Sequence, residues 1–172
     1  MIKRYYATKN NSITNSFLEG NSLRATGSNT GQADILEVFS IYGQVSSSLT
    51  GFSREKSRIL LEFDVADIKS DRDAGTIPSY AKYFLKMYNA SHSNTLPRNY
   101  QLEVVKLGEP WQEGVGIDLE GREDKTFDVR GSNWIKRSGS TSWSTQGGHV
   151  SGSGVEQTFL VGNEDLEIDI TS

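Results

Sequence analysis

The chain has 172 residues, no cysteine, 17 glycines, three prolines and a formal net charge of −4, with 10% aromatic residues. That length suits one domain or a little more, and the aromatic content supports a packed core, which argues against global disorder. Without cysteine there is no disulfide framework or thiolate zinc site, no long basic run offers a nucleic-acid footprint, and no apolar run approaches the roughly 20 residues of a membrane helix.

The opening stretch, MIKRYYATKNNSITNSF, carries basic residues with no apolar block behind them, so it reads as mature structure and not as a signal peptide. ILEVFSIYG (35–43) is rich in β-branched and aromatic residues and predicts a strand ending at Gly43. The overlapping QADILEVF carries a weaker helical pattern, with Ser28, Asn29 or Thr30 as its cap. RILLEF (58–63) puts Ile59, Leu61 and Phe63 on one strand face and Leu60 and Glu62 on the other. DVADI (64–68) predicts a single helical turn capped by Asp64. YFLKMY (83–88) is ambiguous between helix and strand; the strand reading sets Tyr83, Leu85 and Met87 opposite Phe84, Lys86 and Tyr88. LEVVKL (102–107) and QTFLV (157–161) predict strands, the second joined onward through the turn-like Gly162-Asn163. DLEIDIT (165–171) alternates most cleanly, with Leu166, Ile168 and Ile170 on one face and Asp165, Glu167 and Asp169 on the other.

Short strands separated by Gly, Ser and Asn clusters predict an all-β fold, an antiparallel sandwich or barrel, with the β-sandwich over 1–172 as one domain the favoured form. Residues 109–154 form a long excursion rich in Trp, Gly and Ser, too long for a hairpin loop. The half-buried pattern of 165–171 needs a neighbouring strand, supplied either by earlier segments or by chain beyond Ser172; the second is the favoured reading, so the chain is expected to be the N-terminal part of a longer protein.

The excursion holds all three tryptophans, Trp111, Trp134 and Trp143. Exposed rings stack on sugars, while buried rings supply apolar area where aliphatics are lacking. Burial is the favoured reading, above all for Trp111 after Pro110; Trp143, among Ser, Thr and Gly, is expected to be the most exposed, with Trp134 second as a glycan platform. The acidic cluster Glu113, Asp118, Glu120, Glu123, Asp124 and Asp128 offers oxygen donors of the kind calcium takes, with Asp118, Glu120 and Asp124 as candidate ligands. It lacks EF-hand spacing, and Arg122, Lys125 and Arg130 can neutralise it, so a solvated loop without cofactor is the favoured reading. Paired carboxylates for glycoside hydrolysis are a weak signal in any acidic loop. His92 and His149 lie in loop-like sequence without a G-x-S-x-G elbow, and neither GSNTGQ nor GGHVSGSG matches a phosphate-binding fingerprint.

SRILLEFDVADI (57–68), LPRNYQLEVVKLGEPWQEG (96–114), and GSNW (131–134) with TSWSTQGG (141–148) and EDLEIDITS (164–172) together resemble the DNRLRE-type β-sandwich module, a jelly-roll-like domain of cell-surface proteins and virions. YYATKNNSITNSF and ILEVFSIYGQ resemble versions of it in tailed-phage structural proteins. In that family further segments follow the strand similar to DLEIDIT. The resemblance implies a structural or glycan-binding module and carries no catalytic residues. The expectation is therefore a non-catalytic virion protein of a tailed phage, assembled in the host cytoplasm, decorating or attaching to capsid or tail as part of an oligomer. It would act through contacts with other virion proteins, without nucleic acid or membrane insertion. The alternative is a carbohydrate-binding module that meets host-surface glycans with Trp143 and Trp134.

Overall fold

A computed structural model of the chain describes residues 2–17, 24–47, 51–91, 96–117 and 130–171, with the backbone alone given for 43–47 and 51–53. The fold is all-β, with one helix among the described residues. Where one sandwich over 1–172 was expected, the chain groups into two compact units: unit 1 is Met1–Val65 with Gly108–His149, and unit 2 is Ala66–Leu107 with Val150–Ser172.

Unit 1 is built on a three-stranded antiparallel sheet. Strands β1 (Ala7–Thr14) and β2 (Ser40–Ser47) flank the long β3 (Gly51–Phe63). β1 pairs from Ala7 opposite Phe63 to Thr14 opposite Ser57, and β2 from Ser40 opposite Lys56 to Ser47 opposite Gly51. Ladder irregularities fall between Ala7 and Lys9 and between Tyr42 and Ser46. The strand expected over 35–43 is shifted: it begins at Ser40 and runs through Gly43. Before it, one backbone bond, from Ser57 N–H to the Phe39 carbonyl at 3.0 Å, is joined by bonds to side chains. Glu37 N–H donates to Ser12 Oγ at 3.2 Å, Phe39 N–H to Ser57 Oγ at 2.8 Å, and the Ser57 hydroxyl donates to the Glu37 carbonyl at 3.0 Å.

The apolar core of unit 1 is small: Ile13, Ala25, Leu60 and the three tryptophans. Around it Asn11, Ser12, Thr14, Ser16, Ser28, Asn29, Thr30, Glu55, Ser57, Ser132 and Asn133 are also buried. Buried polar groups cost free energy unless bonded, so this core is specified by its hydrogen bonds as much as by packing. Close backbone approach completes it. A side chain on Gly31 would overlap the backbone of Gly114, and one on Gly131 would overlap the backbone at Glu113–Gly114. Gly131 also has φ +86°, where a side chain is strained.

Unit 2 holds helix α1 (Val65–Asp73, its first residue at the unit boundary), β4 (Phe84–Met87), β5 (Tyr100–Leu107), β6 (Val150–Phe159) and β7 (Leu166–Asp169). Its strands form two antiparallel pairs, β4 with β7 and β5 with β6. α1 is longer than the single turn expected at 64–68 and buries no residue, so apolar spacing could not reveal its length. Asp64 precedes its first residue, as expected of a cap. Its end is a glycine stop: Gly75 has φ +72° and donates to the Arg72 carbonyl at 3.0 Å, and Thr76 donates to the Asp71 carbonyl at 2.9 Å. Ile77, Leu85, Phe159, Leu166 and Ile168 are buried. Tyr100 stacks on Phe159 with centroids 4.9 Å apart, and burial raises the Tyr100 phenol above its ordinary pKa.

Candidate functional site

The excursion leaves β5 at Gly108 and rejoins β6 at Val150; its neck is closed by Gly108 N–H donating to the His149 carbonyl at 2.8 Å. Inside, its described residues are tied by backbone bonds. Gln112 N–H donates to the Arg137 carbonyl at 2.9 Å, Ser132 N–H to Gln112 at 2.7 Å, Trp143 N–H to Ile135 at 3.1 Å and Gly147 N–H to Trp134 at 2.7 Å. Asn133 Oδ1 accepts from Ile135 N–H at 2.9 Å and Lys136 N–H at 2.7 Å, an Asx turn that starts the tight bend after Trp134.

All three tryptophans point inward. Trp111 and Trp134 are each 8% exposed and Trp143 only 5%. The expectation for Trp111 and the overall preference for burial agree with this; the expected exposure of Trp143 is corrected. Its indole N–H donates to the Asn133 carbonyl at 2.8 Å, so its one polar atom is satisfied inside the unit. Trp134 lies under the Arg58 guanidinium, 5.2 Å from its ring. Arg58 also donates to the Gly147 carbonyl at 2.7 Å, and a side chain on Gly147 would press on the Trp134 ring. Trp134 N–H donates to the Thr26 carbonyl at 3.1 Å, joining the excursion to the N-terminal segment.

Asn11 and Asn29 are the fasteners of that junction, and composition did not single them out. Asn11 Nδ2 donates to the Ser132 carbonyl at 3.0 Å and to Ser132 Oγ at 2.8 Å, while its Oδ1 accepts from Thr30 N–H at 2.9 Å. Asn29 Oδ1 accepts from Gly116 N–H at 3.0 Å, directly beside Gly114. Glu113, read as part of the acidic cluster, accepts from Asn10 N–H at 2.8 Å and so serves the edge of β1. The candidate calcium ligands Asp118, Glu120 and Asp124 lie outside the described residues, as do Glu123, Asp128 and His92. Among the described residues no group of three His, Asp or Glu side chains is placed to hold a metal ion.

Unit 2 contributes two further constellations. The Glu164 carboxylate accepts from Leu160 N–H at 2.8 Å, Val161 N–H at 2.8 Å and Gly162 N–H at 2.6 Å. These donors, Val161 foremost, hold its pKa down at about 2. This turn also explains why the strand expected over 157–161 ends at Phe159: the next three N–H groups face Glu164, and Leu160 and Val161 stand exposed. Gln157 is the second. Its side-chain amide donates to the Asp165 carbonyl and accepts from Glu167 N–H, both at 2.8 Å. One amide thus occupies two groups on the β7 edge, as a neighbouring strand would.

On the outer face of the β4–β7 pair, Lys86 and Glu167 bond at 2.8 Å; that hydrogen bond and charge raise the Lys86 pKa. Lys82 lies 3.6 Å from Asp169, whose carboxyl is lowered chiefly by the Thr171 hydroxyl. Phe84 and Tyr88 stand 54% and 74% exposed beside them. The described surface therefore offers apolar side chains and strand edges, while buried Asn11, Asn29 and Ser57 bond within the fold. No helix among the described residues is long and apolar enough to cross a membrane.

Comparison with known protein families, curated proteins and solved structures finds no match.

Proposed function

We propose that this chain is a non-catalytic structural protein of a tailed-phage particle, decorating or attaching to capsid or tail through protein–protein contacts. The observation that carries the contact role is its surface. Among the described residues, large apolar side chains left exposed outnumber those buried; the exposed set includes Ile2, Tyr6, Tyr42, Tyr80, Phe84 and Tyr88. Soluble monomers keep contiguous apolar patches small, and assembled subunits cover theirs with neighbours. Two-stranded sheets are marginal by themselves, which again favours a chain completed by its surroundings. The phage setting and the jelly-roll-like sandwich rest on the sequence resemblance described above.

The carbohydrate-binding reading leaned on Trp143 and Trp134. Both are buried, and no other observation favours it.

The test is quantitative peptide mass spectrometry on purified particles of the phage encoding the chain. A fixed integer number of copies per particle is expected. Absence from washed, infective particles would overturn the assignment.

A further inference from the structure

We propose that the open edge of β4 pairs antiparallel with β4 of a second copy, Leu85 opposite Leu85. This deepens the contact role proposed above and rests on it.

The argument begins with the direction of the backbone groups. Ile170 N–H donates to the Tyr83 carbonyl at 2.8 Å, and Leu85 lies opposite Ile168, so the groups of Tyr83, Leu85 and Met87 face β7. Those of Phe84 and Lys86 then face away, and among the described residues no strand lies on that side. An unpaired strand edge is a template for another strand.

Four other edge strands are covered or irregular. β1 is covered where Thr30 N–H donates to the Ser12 carbonyl and Glu113 takes Asn10 N–H. β2 loses its register between Tyr42 and Ser46, and β5 between Val104 and Lys106. β7 gives two groups to Gln157. β4 is regular along its whole length.

A second copy fits this edge by charge and by face. Lys82 and Lys86 are neutralised by Asp169 and Glu167 of the same chain, so two such edges approach without net repulsion. Only registers that pair even-numbered residues let the outward groups bond. Centring on Lys86 opposes two ammonium groups, which is unfavourable. Centring on Met87 shortens the overlap of 82–88. Centring on Leu85 keeps all of it. That register extends the inner apolar face through Leu85 and places Tyr83 beside the partner's Met87. On the outer face it sets the Phe84 and Tyr88 rings against the partner's Lys86 and Lys82, a cation–ring arrangement that Lys86 already makes with Tyr88 at 5.6 Å. The result is an isologous two-fold contact.

The chain has no cysteine, so single cysteines read the register directly. In the full chain under mild oxidation, Leu85→Cys is expected to give a disulfide-linked dimer, and Lys86→Cys and Met87→Cys are not. Phe84→Lys, at an exposed position, should weaken the dimer about tenfold in sedimentation velocity by opposing a cation to Lys86 twice, with the Tm unchanged. A chain that sediments as monomer throughout the micromolar range, a dimer indifferent to Phe84→Lys, or cross-linking at Lys86 or Met87 in place of Leu85 would each overturn the pairing. Particles holding a fixed copy number without the Leu85 cross-link would overturn it too, while leaving the proposed function standing. A cross-linked dimer absent from particles would do the reverse.

Discussion

In unit 1 the outer edge of β1 is closed: Thr30 N–H divides between Asn11 Oδ1 and the Ser12 carbonyl, and Glu113 takes Asn10 N–H. In unit 2 the outer edge of β4 meets no strand among the described residues, and exposed Phe84 and Tyr88 flank it. Both units have few apolar core residues, yet they manage their backbone differently. Unit 1 buries amide and hydroxyl side chains that finish what its sheet leaves unpaired. Unit 2 finishes one edge with Gln157 and leaves another open. A buried side-chain amide defines one arrangement, because it leaves partners stranded if it moves. An open edge keeps its hydrogen bonds for whatever docks there.

The tryptophans make this contrast measurable, since all three lie in unit 1 and their fluorescence reports it alone. The largest effect is expected from Asn11→Ala. It removes three hydrogen bonds and strands the buried Ser132 groups, while Thr30 N–H keeps the Ser12 carbonyl, so unit 1 should lose roughly 2–4 kcal/mol in urea titrations followed by tryptophan emission. A loss under about 1 kcal/mol would mean that the buried amide does not lock the unit. Trp143→Phe keeps most of the ring but leaves the Asn133 carbonyl without its donor; about 1–2 kcal/mol is expected by the same assay. Gln157→Ala removes both the donor to the Asp165 carbonyl and the acceptor of Glu167 N–H. It should cost about 1 kcal/mol and speed amide exchange at Glu167, with the tryptophan-detected transition unmoved. A shifted tryptophan transition would mean that the two units do not respond separately.

The smallest effect is a pH dependence. Glu164 is held at about 2 in the folded chain, below the usual glutamate value of about 4.3 when unfolded. Its contribution is therefore complete above that unfolded value and is lost as pH falls towards about 2. NMR amide shifts of Leu160, Val161 and Gly162 should titrate together with a midpoint near 2. A midpoint near the unfolded value would show that these N–H groups do not grip the carboxylate.

Where alternation was strong, the sequence was legible. Leu166 and Ile168 are buried with Glu167 between them exposed, and Leu85 is buried between exposed Phe84 and Lys86. The pattern fades at Ile170, which is 37% exposed beyond the end of β7. Trp143 was misjudged because its neighbours in sequence are polar. What buries it is the Asn133 bend and the return of the chain, neither visible as periodicity. The beginning of β2 was misplaced for a related reason: Ser12 and Ser57 capture the backbone of Glu37 and Phe39, and nothing in 35–39 announces hydroxyls supplied from β1 and β3. Asn11 could have been noticed as a polar residue amid a strand-like run, but its partner Ser132 is far away in sequence and no local rule joins them. The polar helix α1 was foreshadowed at its start, by Asp64, and its length was hidden, because it buries no residue.

The closed neck between Gly108 and His149 bears on biosynthesis. Each unit is stitched from two stretches, with the second stretch of one interrupting the other. A ribosome that has reached Leu107 has emitted β1, β2 and β3, yet Asn11 still lacks Ser132. When His149 emerges, unit 1 has its pieces while β5 still waits for β6. Vectorial translation thus lets unit 1 close first, while β4 waits for β7 and β5 for β6, so unit 2 completes its strand pairs last.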